Sequence, residues 1–377
     1  MPARLRPRRV LADVAARRDT ATAVTRRLDF RSGGWVLLLA ACLALAILAW
    51  QLIWFVLPVS GSRAVGDGRD VDSYGFHLDD CLVPRERLVA AGFPKDGLRA
   101  LLDPPPISTQ EMDEQRLGRG SFLTPADRVI GVEIAGQARA YPLRIMIWHE
   151  VANDTLGGLP ILVTCNPLCD AAFVFDRRVE GETLEFGVSG LLYNSNLLMF
   201  DRRGSPGDES LWSQMQARAV AGPAARRGAE LRLLPCALTT WKEWRSAHPQ
   251  TDVLRPDPAR KQVYKREAYS TYAASPRLQF PVAPLPSVPE TQLKAPCIGL
   301  RVAGGAWRVF SIAAPSGERP AGPQTVSLVL DGRTVTLRHQ RHPPVAWLAT
   351  HEDDVEVAYG SLFAWYALLG IAAEPLP

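Results

Sequence analysis

The chain has 377 residues, 47% of them hydrophobic, and a formal net charge of +4. The first 34 residues hold nine arginines and three aspartates and carry +6, so the remainder carries −2. The body therefore has no excess of basic residues, which excludes nucleic-acid binding from the functions we consider.

Residues 35–57 form an apolar run without a charged residue. As a helix these 23 residues would measure about 34 Å, enough to cross a bilayer core of about 30 Å. The run is longer than the apolar core of a cleaved signal peptide, about 7–15 residues, so we expect an uncleaved transmembrane helix. Arg26, Arg27 and Arg31 predict a cytoplasmic N-terminus. The sequence thus predicts a single-pass protein of the inner (cytoplasmic) membrane, with a cytoplasmic Arg-rich tail over 1–34.

The C-terminal domain is accordingly expected to be periplasmic or extracellular, with the membrane as its partner through residues 35–57. Its first part, residues 58–128, reads as an irregular segment that wraps over the surface, because Asp, Gly and Pro are frequent there. Only residues 84–101 within it have a helical pattern.

From residue 129 onward, apolar and polar residues alternate, which is typical of strands. We predict a mainly β (β-rich α+β) domain over 129–377, with two strands around an Ala135–Gly136 turn and an amphipathic helix over 239–248. A pattern similar to residues 130–138 returns 168 positions later, with five identical pairs. The pairs are Ile130/Ile298, Gly131/Gly299, Ala135/Ala303, Gly136/Gly304 and Ala138/Ala306. We therefore predict an internal repeat of two related β-units, 129–296 and 297–377.

Two cysteines flank a predicted tight turn between strands. Cys165 ends one apolar run, Cys169 precedes the next, and Asn-Pro-Leu lies between them. Such a turn can bring two Cα atoms within the roughly 4.4–6.8 Å that a disulfide requires, and an extracytoplasmic compartment favours oxidation. Three alternatives stay open: a structural or redox-active disulfide, a metal site, and unpaired structural cysteines.

A metal site would draw its ligands from residues near this turn. Soft thiolates favour Cu(I), whereas a structural zinc site requires four ligands. His149, Asp154 and Met199 could complete the ligand set of Cys165 and Cys169, so copper or zinc is the candidate cofactor.

His149 and Glu150 are candidate acid–base groups, because an imidazole beside a carboxylate can transfer protons. The structural alternative for His149 is a histidine bonded to a loop at the end of a helix or strand. Asp154 stands in Asn-Asp-Thr-Leu-Gly-Gly, a composition typical of turns, and is most simply a turn residue.

Four further side chains could line a polar pocket for a small molecule or a protein partner. These are Tyr193, Asn194, Asn196 and Trp212.

With these segments identified, the chain resembles the bacterial family called domain of unknown function 3179. The resemblance rests on AYPLRIMIWHEVANDTLGGLPILVTCNPLCDAAFVFDR, on LEFGVSGLLYNSNLLMFDR, on ESLWSQ and on LLP followed by TTWKEWRSAHPQTDVL. It extends from about Leu78 to the C-terminus and implies an exported or anchored protein, without a settled activity. In the family the turn usually reads C-P-L-C. Here Asn166 stands at the usual first cysteine, and Cys165 lies one position earlier.

Three functions follow as hypotheses for this membrane-anchored protein. The first is a thiol-redox or copper-like metal site formed by Cys165, Cys169 and His149. The second is a non-catalytic module that binds a ligand or partner and contains a structural disulfide. The third is a cell-envelope enzyme that uses His149 and Glu150 as acid–base groups.

Overall fold

The computed structural model describes residues 35–36, 39–47, 64–205, 207–312, 322–350 and 354–377. The chain divides into two units, residues 1–63 and 64–377. Residues 35–36 and 39–47 are helical. The predicted membrane span over 35–57 thus lies partly outside the described residues. None of the helices that can be described is long and apolar enough to cross a membrane.

The unit from residue 64 onward is rich in β-structure, as the sequence predicts. Its described strands, in chain order, are β1 (Leu88–Ala90), β2 (Leu101–Leu102), β3 (Pro106–Ser108), β4 (Arg116–Leu117), β5 (Gly120–Ser121), β6 (Arg128–Ile134), β7 (Gln137–Pro142), β8 (Val151–Leu156), β9 (Leu159–Asn166), β10 (Ala171–Asp176), β11 (Arg178–Val179), β12 (Glu182–Thr183), β13 (Phe186–Tyr193), β14 (Asn196–Asp201), β15 (Leu211–Ser213), β16 (Arg218–Ala221), β17 (Ala237–Thr240), β18 (Asp252–Leu254), β19 (Pro296–Val302), β20 (Arg308–Ser311), β21 (Gln324–Leu330), β22 (Arg333–Arg341), β23 (Pro344–Leu348), β24 (Val355–Ser361) and β25 (Ala373–Pro375).

The helices of this unit are short. The α-helices are α1 (Thr109–Glu114), α2 (Leu143–Met146), α3 (Pro223–Arg226), α4 (Trp241–Ala247), α5 (Lys261–Tyr264), α6 (Ser270–Ala274) and α7 (Leu362–Leu369). The 3-10 turns are Val71–Tyr74, Arg85–Arg87, Pro258–Arg260 and Glu290–Gln292. The helix predicted over 239–248 is α4, and its N-cap Thr240 accepts a hydrogen bond from the Glu243 N–H.

Three large sheets form the body. Sheet A has the strand order β1-β13-β14-β15-β16, sheet B the order β2-β8-β9-β10-β24-β19-β20-β25, and sheet C the order β21-β22-β23-β17-β6-β7-β18-β3. Strand β10 shows how they stack, because its side chains alternate between two cores. Phe173 and Phe175 belong to a core shared with sheet A, whereas Ala172 and Val174 belong to a core shared with sheet C. Sheet B is therefore buried on both faces, which explains its nearly continuous apolar strands.

The segment before residue 128 ties the sheets together. It contributes one edge strand to each: β1 pairs with β13, β2 with β8, and β3 with β18. The helix indicated by the pattern of residues 84–101 is not formed, so this prediction is wrong. Only the 3-10 turn Arg85–Arg87 forms there, followed directly by β1.

The two predicted β-units have the same local arrangement. Strands β6 and β19 are related by the same 168-residue offset, and each begins a hairpin. Gly131 on β6 lies opposite Ala237 on β17, and Gly299 on β19 lies opposite Ala358 on β24. A helix follows β17 and β24 in each case, and then a strand that runs parallel to the hairpin's second strand, β18 with β7 and β25 with β20.

The two predicted β-units, 129–296 and 297–377, exchange strands between their sheets. On its other side β24 pairs with β10, where Tyr359 lies opposite Ala172. The matching strand β17 pairs with β23, where Leu238 lies opposite Ala346. The first β-unit therefore adds the antiparallel strands β8-β9-β10 to sheet B, which holds the hairpin of the second β-unit. The second β-unit adds β21-β22-β23 to sheet C, which holds the hairpin of the first. This shared topology favours the duplication, which stays a prediction.

Candidate functional site

His149 follows α2 in a tight turn. The N–H groups of His149 and Glu150 both donate to the Met146 carbonyl, at 3.0 and 2.7 Å. The His149 ring is buried, with Nδ1 2.7 Å from the Arg99 carbonyl oxygen and Nε2 3.1 Å from the Tyr264 hydroxyl. Burial lowers the pKa of His149, so the ring is neutral at neutral pH. The imidazole therefore links Arg99, in the segment before β2, to Tyr264 on α5. Because both ring nitrogens have partners, this geometry gives no support to a catalytic or metal-ligating role.

Glu150 is the strained residue of this turn. Its φ of 57° lies in the left-handed region, which is uncommon for residues other than glycine and is found preferentially at functional sites. Its side chain is 4% exposed. Burial raises the pKa of Glu150 to about 8, although the nearby Asn166 amide acts in the opposite direction. The carboxyl group is therefore mostly protonated at neutral pH and can donate a hydrogen bond.

The predicted turn between β9 and β10 is present and is fixed by hydrogen bonds at several atoms. The Asn166 Oδ1 accepts from the Cys169 N–H at 3.0 Å, and the Leu168 carbonyl accepts from the Tyr272 hydroxyl at 2.9 Å. The Cys169 thiol donates to the Ser195 carbonyl at 3.3 Å. One of these hydrogen bonds closes the turn, and the other two join it to Tyr272 and Ser195 in other segments.

Of the three alternatives left open for Cys165 and Cys169, the structure shows the unpaired cysteines and no disulfide. All six cysteines are free, and the side chains of these two enter different cores, Cys165 between sheets B and C and Cys169 between sheets A and B. Burial raises the pKa of both thiols well above the usual range. Because the thiolate is the reactive form, neither cysteine has the environment of a redox-active thiol.

The residues proposed as metal ligands do not converge. Among the residues that the structure describes, no group of three or more His, Cys, Asp or Glu side chains is placed to hold a metal ion. Asp154 lies inside strand β8, not in a turn, and its Oδ2 accepts from the Arg139 guanidinium at 2.8 Å and the Tyr141 hydroxyl at 2.7 Å. Met199 on β14 is fully buried in the apolar core between sheets A and B.

The four predicted pocket residues are structural links within and around sheet A, and all are buried. The Asn194 amide donates to the Ala367 carbonyl at 3.2 Å and accepts from the Ala283 N–H at 3.0 Å. The Asn196 amide donates to the Gln214 side-chain oxygen at 2.9 Å. Tyr193 and Trp212 belong to the core between sheets A and B. None of the four lines the cavity that we describe next.

An open cavity of about 510 Å³ lies beside the β9–β10 turn. Cys165 and Asn166 line it together with apolar side chains of α2, β10 and β17 and with side chains from the segment 264–273. The apolar and aromatic lining includes Leu143, Ile147, Ala172, Leu238, Tyr264 and Tyr269. Sites for small molecules typically measure about 300–1,000 Å³ and have mainly apolar walls with a few polar groups, so the cavity has suitable size and chemistry.

Ion pairs form the polar part of the cavity wall. Arg128 binds Asp170 through two parallel hydrogen bonds, at 2.8 and 3.0 Å. Arg144 binds Asp127 at 2.9 Å. Asp170, at the end of the turn, has a φ of 46° and lines the cavity together with Cys165. The pairs hold the guanidinium groups in fixed positions.

Sequence reasoning missed most of this site. Arg128, Arg144, Tyr264 and Tyr269 come from separate elements, and no local pattern marks them as neighbours. Asn166 stood out only because it occupies a position where a cysteine is usual. The strain at Glu150 has no sequence signal beyond its place directly after the Trp-His pair.

The fold and the site together define a β-rich protein with three large sheets and a cavity of small-molecule size lined by Cys165 and Asn166. The buried Glu150 lies next to these two residues, and its carbonyl accepts from the Cys165 N–H at 2.9 Å. The family model described as "Protein of unknown function (DUF3179)" matches residues 95–341, more than half of the chain, and the protein belongs to this family. This confirms the resemblance noted in the sequence. No curated protein and no solved structure matches the chain.

Proposed function

We propose that the protein binds a small molecule in the cavity beside Cys165, outside the cytoplasm and anchored by residues 35–57. The observation that carries the proposal is the cavity of about 510 Å³ with a mainly apolar wall. Small-molecule sites are typically concave, of this size and mainly apolar, so the cavity favours a binding role. A binding role also requires no reactive thiolate and no metal, in keeping with the buried, protonated cysteines.

The binding proposal is tested by closing the entrance. Ala273 on α6 is exposed and lines the cavity, whereas the neighbouring Ala274 is exposed and does not. Full-length wild-type protein, Ala273→Trp and Ala274→Trp are purified from bacterial membranes, and small molecules released by denaturation are identified by mass spectrometry. We expect the same compound with wild type and Ala274→Trp and its loss from Ala273→Trp. Equal amounts in all three proteins, or none in any, would contradict the proposal.

The membrane topology is a separate part of the proposal. It rests on the uncharged run 35–57 and the Arg-rich tail before it. Alkaline phosphatase fused after Pro377 should be active, because that enzyme needs an oxidising compartment. A green fluorescent protein that folds only in the cytoplasm should be dark at the same position. The opposite pair of results would place the C-terminal domain in the cytoplasm.

A further inference from the structure

Each of the three large sheets ends in two edge strands, and five of these six edges are short. Strands β1, β2, β3, β16 and β25 have two to four residues each. Three of them also contain a proline or a charged residue: Pro106 in β3, Arg218 in β16, and Glu374 and Pro375 in β25. Short length, charge and proline are features that keep the backbone of an edge strand from pairing with another chain.

The sixth edge, strand β21 of sheet C, has none of these features. Its seven residues, Gln324–Leu330, read QTVSLVL and include no charged residue and no proline. Thr325, Ser327 and Val329 alternate with inward residues and are exposed, Val329 to 58%. An uncharged strand rich in β-branched residues is the kind of edge to which a further strand can be added.

The geometry of the β21–β22 hairpin shows which backbone groups of β21 point outward. Its two-residue turn, Asp331–Gly332, has φ values of 46° and 80°, as a type I′ turn requires, and the pair Leu330 and Arg333 closes it. A pair that closes such a turn exchanges two backbone hydrogen bonds, and hydrogen-bonded pairs alternate along an antiparallel ladder. The backbone N–H and C=O groups that point away from β22 are therefore those of Thr325, Ser327 and Val329.

Most of these outward groups have no partner among the residues that the structure describes. The Val329 carbonyl accepts from the Arg308 guanidinium at 2.8 Å. No described residue forms a hydrogen bond with the outward backbone groups of Thr325 and Ser327. The middle of β21 thus offers donors and acceptors in the arrangement that strand addition uses.

We infer that β21 pairs antiparallel with β21 of a second copy of this chain, around a two-fold axis at Ser327. Closed symmetric dimers of this kind use the same surface on both copies. In this register Ser327 faces Ser327 of the second copy, and Thr325 faces Val329 of the second copy. Each of these pairs exchanges two backbone hydrogen bonds, and no charged side chain of β21 faces another.

The ends of the strand select this register. Pro323, which has no N–H group, lies directly before β21, and the turn residue Asp331 lies directly after it. A symmetric register shifted along the strand would place one of these two residues opposite an outward-pointing residue. A centre at Ser327 therefore pairs all three outward-pointing residues.

The inner face of β21 favours a second copy over an unrelated chain. Leu328 is buried in the core between sheets B and C, and Val326 packs against the same core but is only half-buried. In the inferred register Val326 lies opposite Leu328 of the second copy, so an apolar neighbour covers it. The sequence of β21 thus supplies the apolar match that another chain would have to reproduce.

Cysteine cross-linking of the full chain tests the register, in a Cys42→Ala background because Cys42 is exposed. Ser327→Cys should form an intermolecular disulfide on mild oxidation, since the Cα atoms of a hydrogen-bonded pair are about 5.5 Å apart. Thr325→Cys is the matched control on the same face. Its two copies would be roughly 14 Å apart and should not cross-link, whereas a mixture of Thr325→Cys and Val329→Cys should.

Light scattering on the full chain in detergent measures the mass of the assembly. We expect twice the mass of one chain for wild type and for Thr334→Lys, and the mass of one chain for Ser327→Lys, which places two like charges opposite each other. Ser327 and Thr334 are both exposed, but Thr334 belongs to β22, one strand away from the edge. An unchanged thermal midpoint shows that both lysine variants are folded.

The inference is overturned if the wild type is a single chain at every concentration, or if Ser327→Lys keeps the double mass. Equal cross-linking of Ser327→Cys and Thr325→Cys would overturn it as well. Cross-linking of Ser327→Cys to a different protein and not to itself would also contradict the second copy, and would assign β21 to strand addition by another chain. The cavity beside Cys165 plays no part in these measurements, so the proposed function is tested separately.

Discussion

Cys165 and Cys169 are four residues apart in the chain, yet their side chains lie on opposite faces of sheet B. Cys165 is part of strand β9 and points toward sheet C. Cys169 is part of the turn, and its thiol donates to the Ser195 carbonyl on the sheet A side. The spacing that suggests a disulfide thus places the two sulfurs in separate cores. The two side chains therefore pack in two different interfaces.

We therefore expect no disulfide between these two cysteines in the native protein. Peptide mapping after alkylation under denaturing conditions should recover both as alkylated peptides, without prior reduction. Reducing agent should leave the thermal midpoint unchanged, because no cross-link is removed from the unfolded chain. A cross-linked Cys165–Cys169 peptide, or a lower midpoint on reduction, would show that the two sulfurs meet after all.

Glu150 should make stability depend on pH. Its pKa is about 8 in the folded protein against 4.5 as the usual value, so between these limits only the folded state keeps the proton. Stability therefore falls as pH rises, by about 1.4 kcal/mol per pH unit from about pH 4.5 to about pH 8, and levels off above. Glu150→Gln removes this dependence, so its advantage over the wild type should grow across the same window.

The measurement for Glu150 is urea unfolding at a series of pH values. Glu267→Gln is the matched control, because Glu267 is exposed and lines the same cavity. This variant shows the effect of the same substitution at an exposed position. A difference between Glu150→Gln and wild type that stays constant with pH would mean that the Glu150 carboxyl group is charged in the folded protein.

Two glycines in equivalent positions should be equally intolerant of substitution. A Cβ atom on Gly131 would lie 2.2 Å from the Trp244 ring, and one on Gly299 would lie 2.2 Å from the Trp365 ring. Both tryptophans belong to the helix that follows β17 or β24, and both are buried. Alanine at either glycine should destabilise the protein by roughly 1–3 kcal/mol through overpacking.

The control for these glycines is Gly120→Ala, since Gly120 has no atom within 4 Å of an added Cβ. Thermal unfolding of the three variants gives the comparison. If Gly131→Ala and Gly299→Ala behaved like Gly120→Ala, the two helices would not be packed directly on their strands.

The pattern of residues was enough to predict the β-rich body, the Ala135–Gly136 turn and the helix beginning after Thr240, because each depends on local periodicity and turn chemistry. It was not enough for features that depend on distant partners. Asp154 has the sequence context of a turn, but its bonds to Arg139 and Tyr141 are made inside a strand. The cavity depends on Arg128 and Tyr269 meeting across more than 100 residues, and no local rule predicts such a meeting.

Asp154 should be important for stability and not for metal binding. Its carboxylate is buried and shares the Arg139 guanidinium with Asp252, which binds the same group at 2.7 Å. Asp154→Asn leaves a buried guanidinium with one carboxylate in place of two and should cost roughly 3 kcal/mol. Asp113→Asn breaks the exposed pair with Arg245 and should cost less than about 1 kcal/mol.

Chemical unfolding of Asp154→Asn and Asp113→Asn measures both losses, and metal content is determined on the same samples. We expect unchanged metal content in both. A folded Asp154→Asn protein of normal stability that has lost a bound metal would instead support the metal-site hypothesis.

A buried chain of amides should join sheets A and B. The Asn196 amide donates to the Gln214 oxygen at 2.9 Å, and the Gln214 amide donates to the Thr164 hydroxyl at 2.9 Å. Asn196 belongs to sheet A and Thr164 to sheet B, so Gln214 bridges them. Gln214→Leu leaves buried donors and acceptors unpaired at both ends and should cost about 2–3 kcal/mol.

A double-mutant cycle distinguishes this bridge from general loss of packing. Thr164→Val removes only the hydroxyl at one end, and the double variant should lose less stability than the two single losses added together, since the shared bond is counted twice. Gln279→Leu, at an exposed glutamine, should have little effect. Additive losses in the cycle would mean that Gln214 and Thr164 act independently and that apolar packing alone holds the two sheets together.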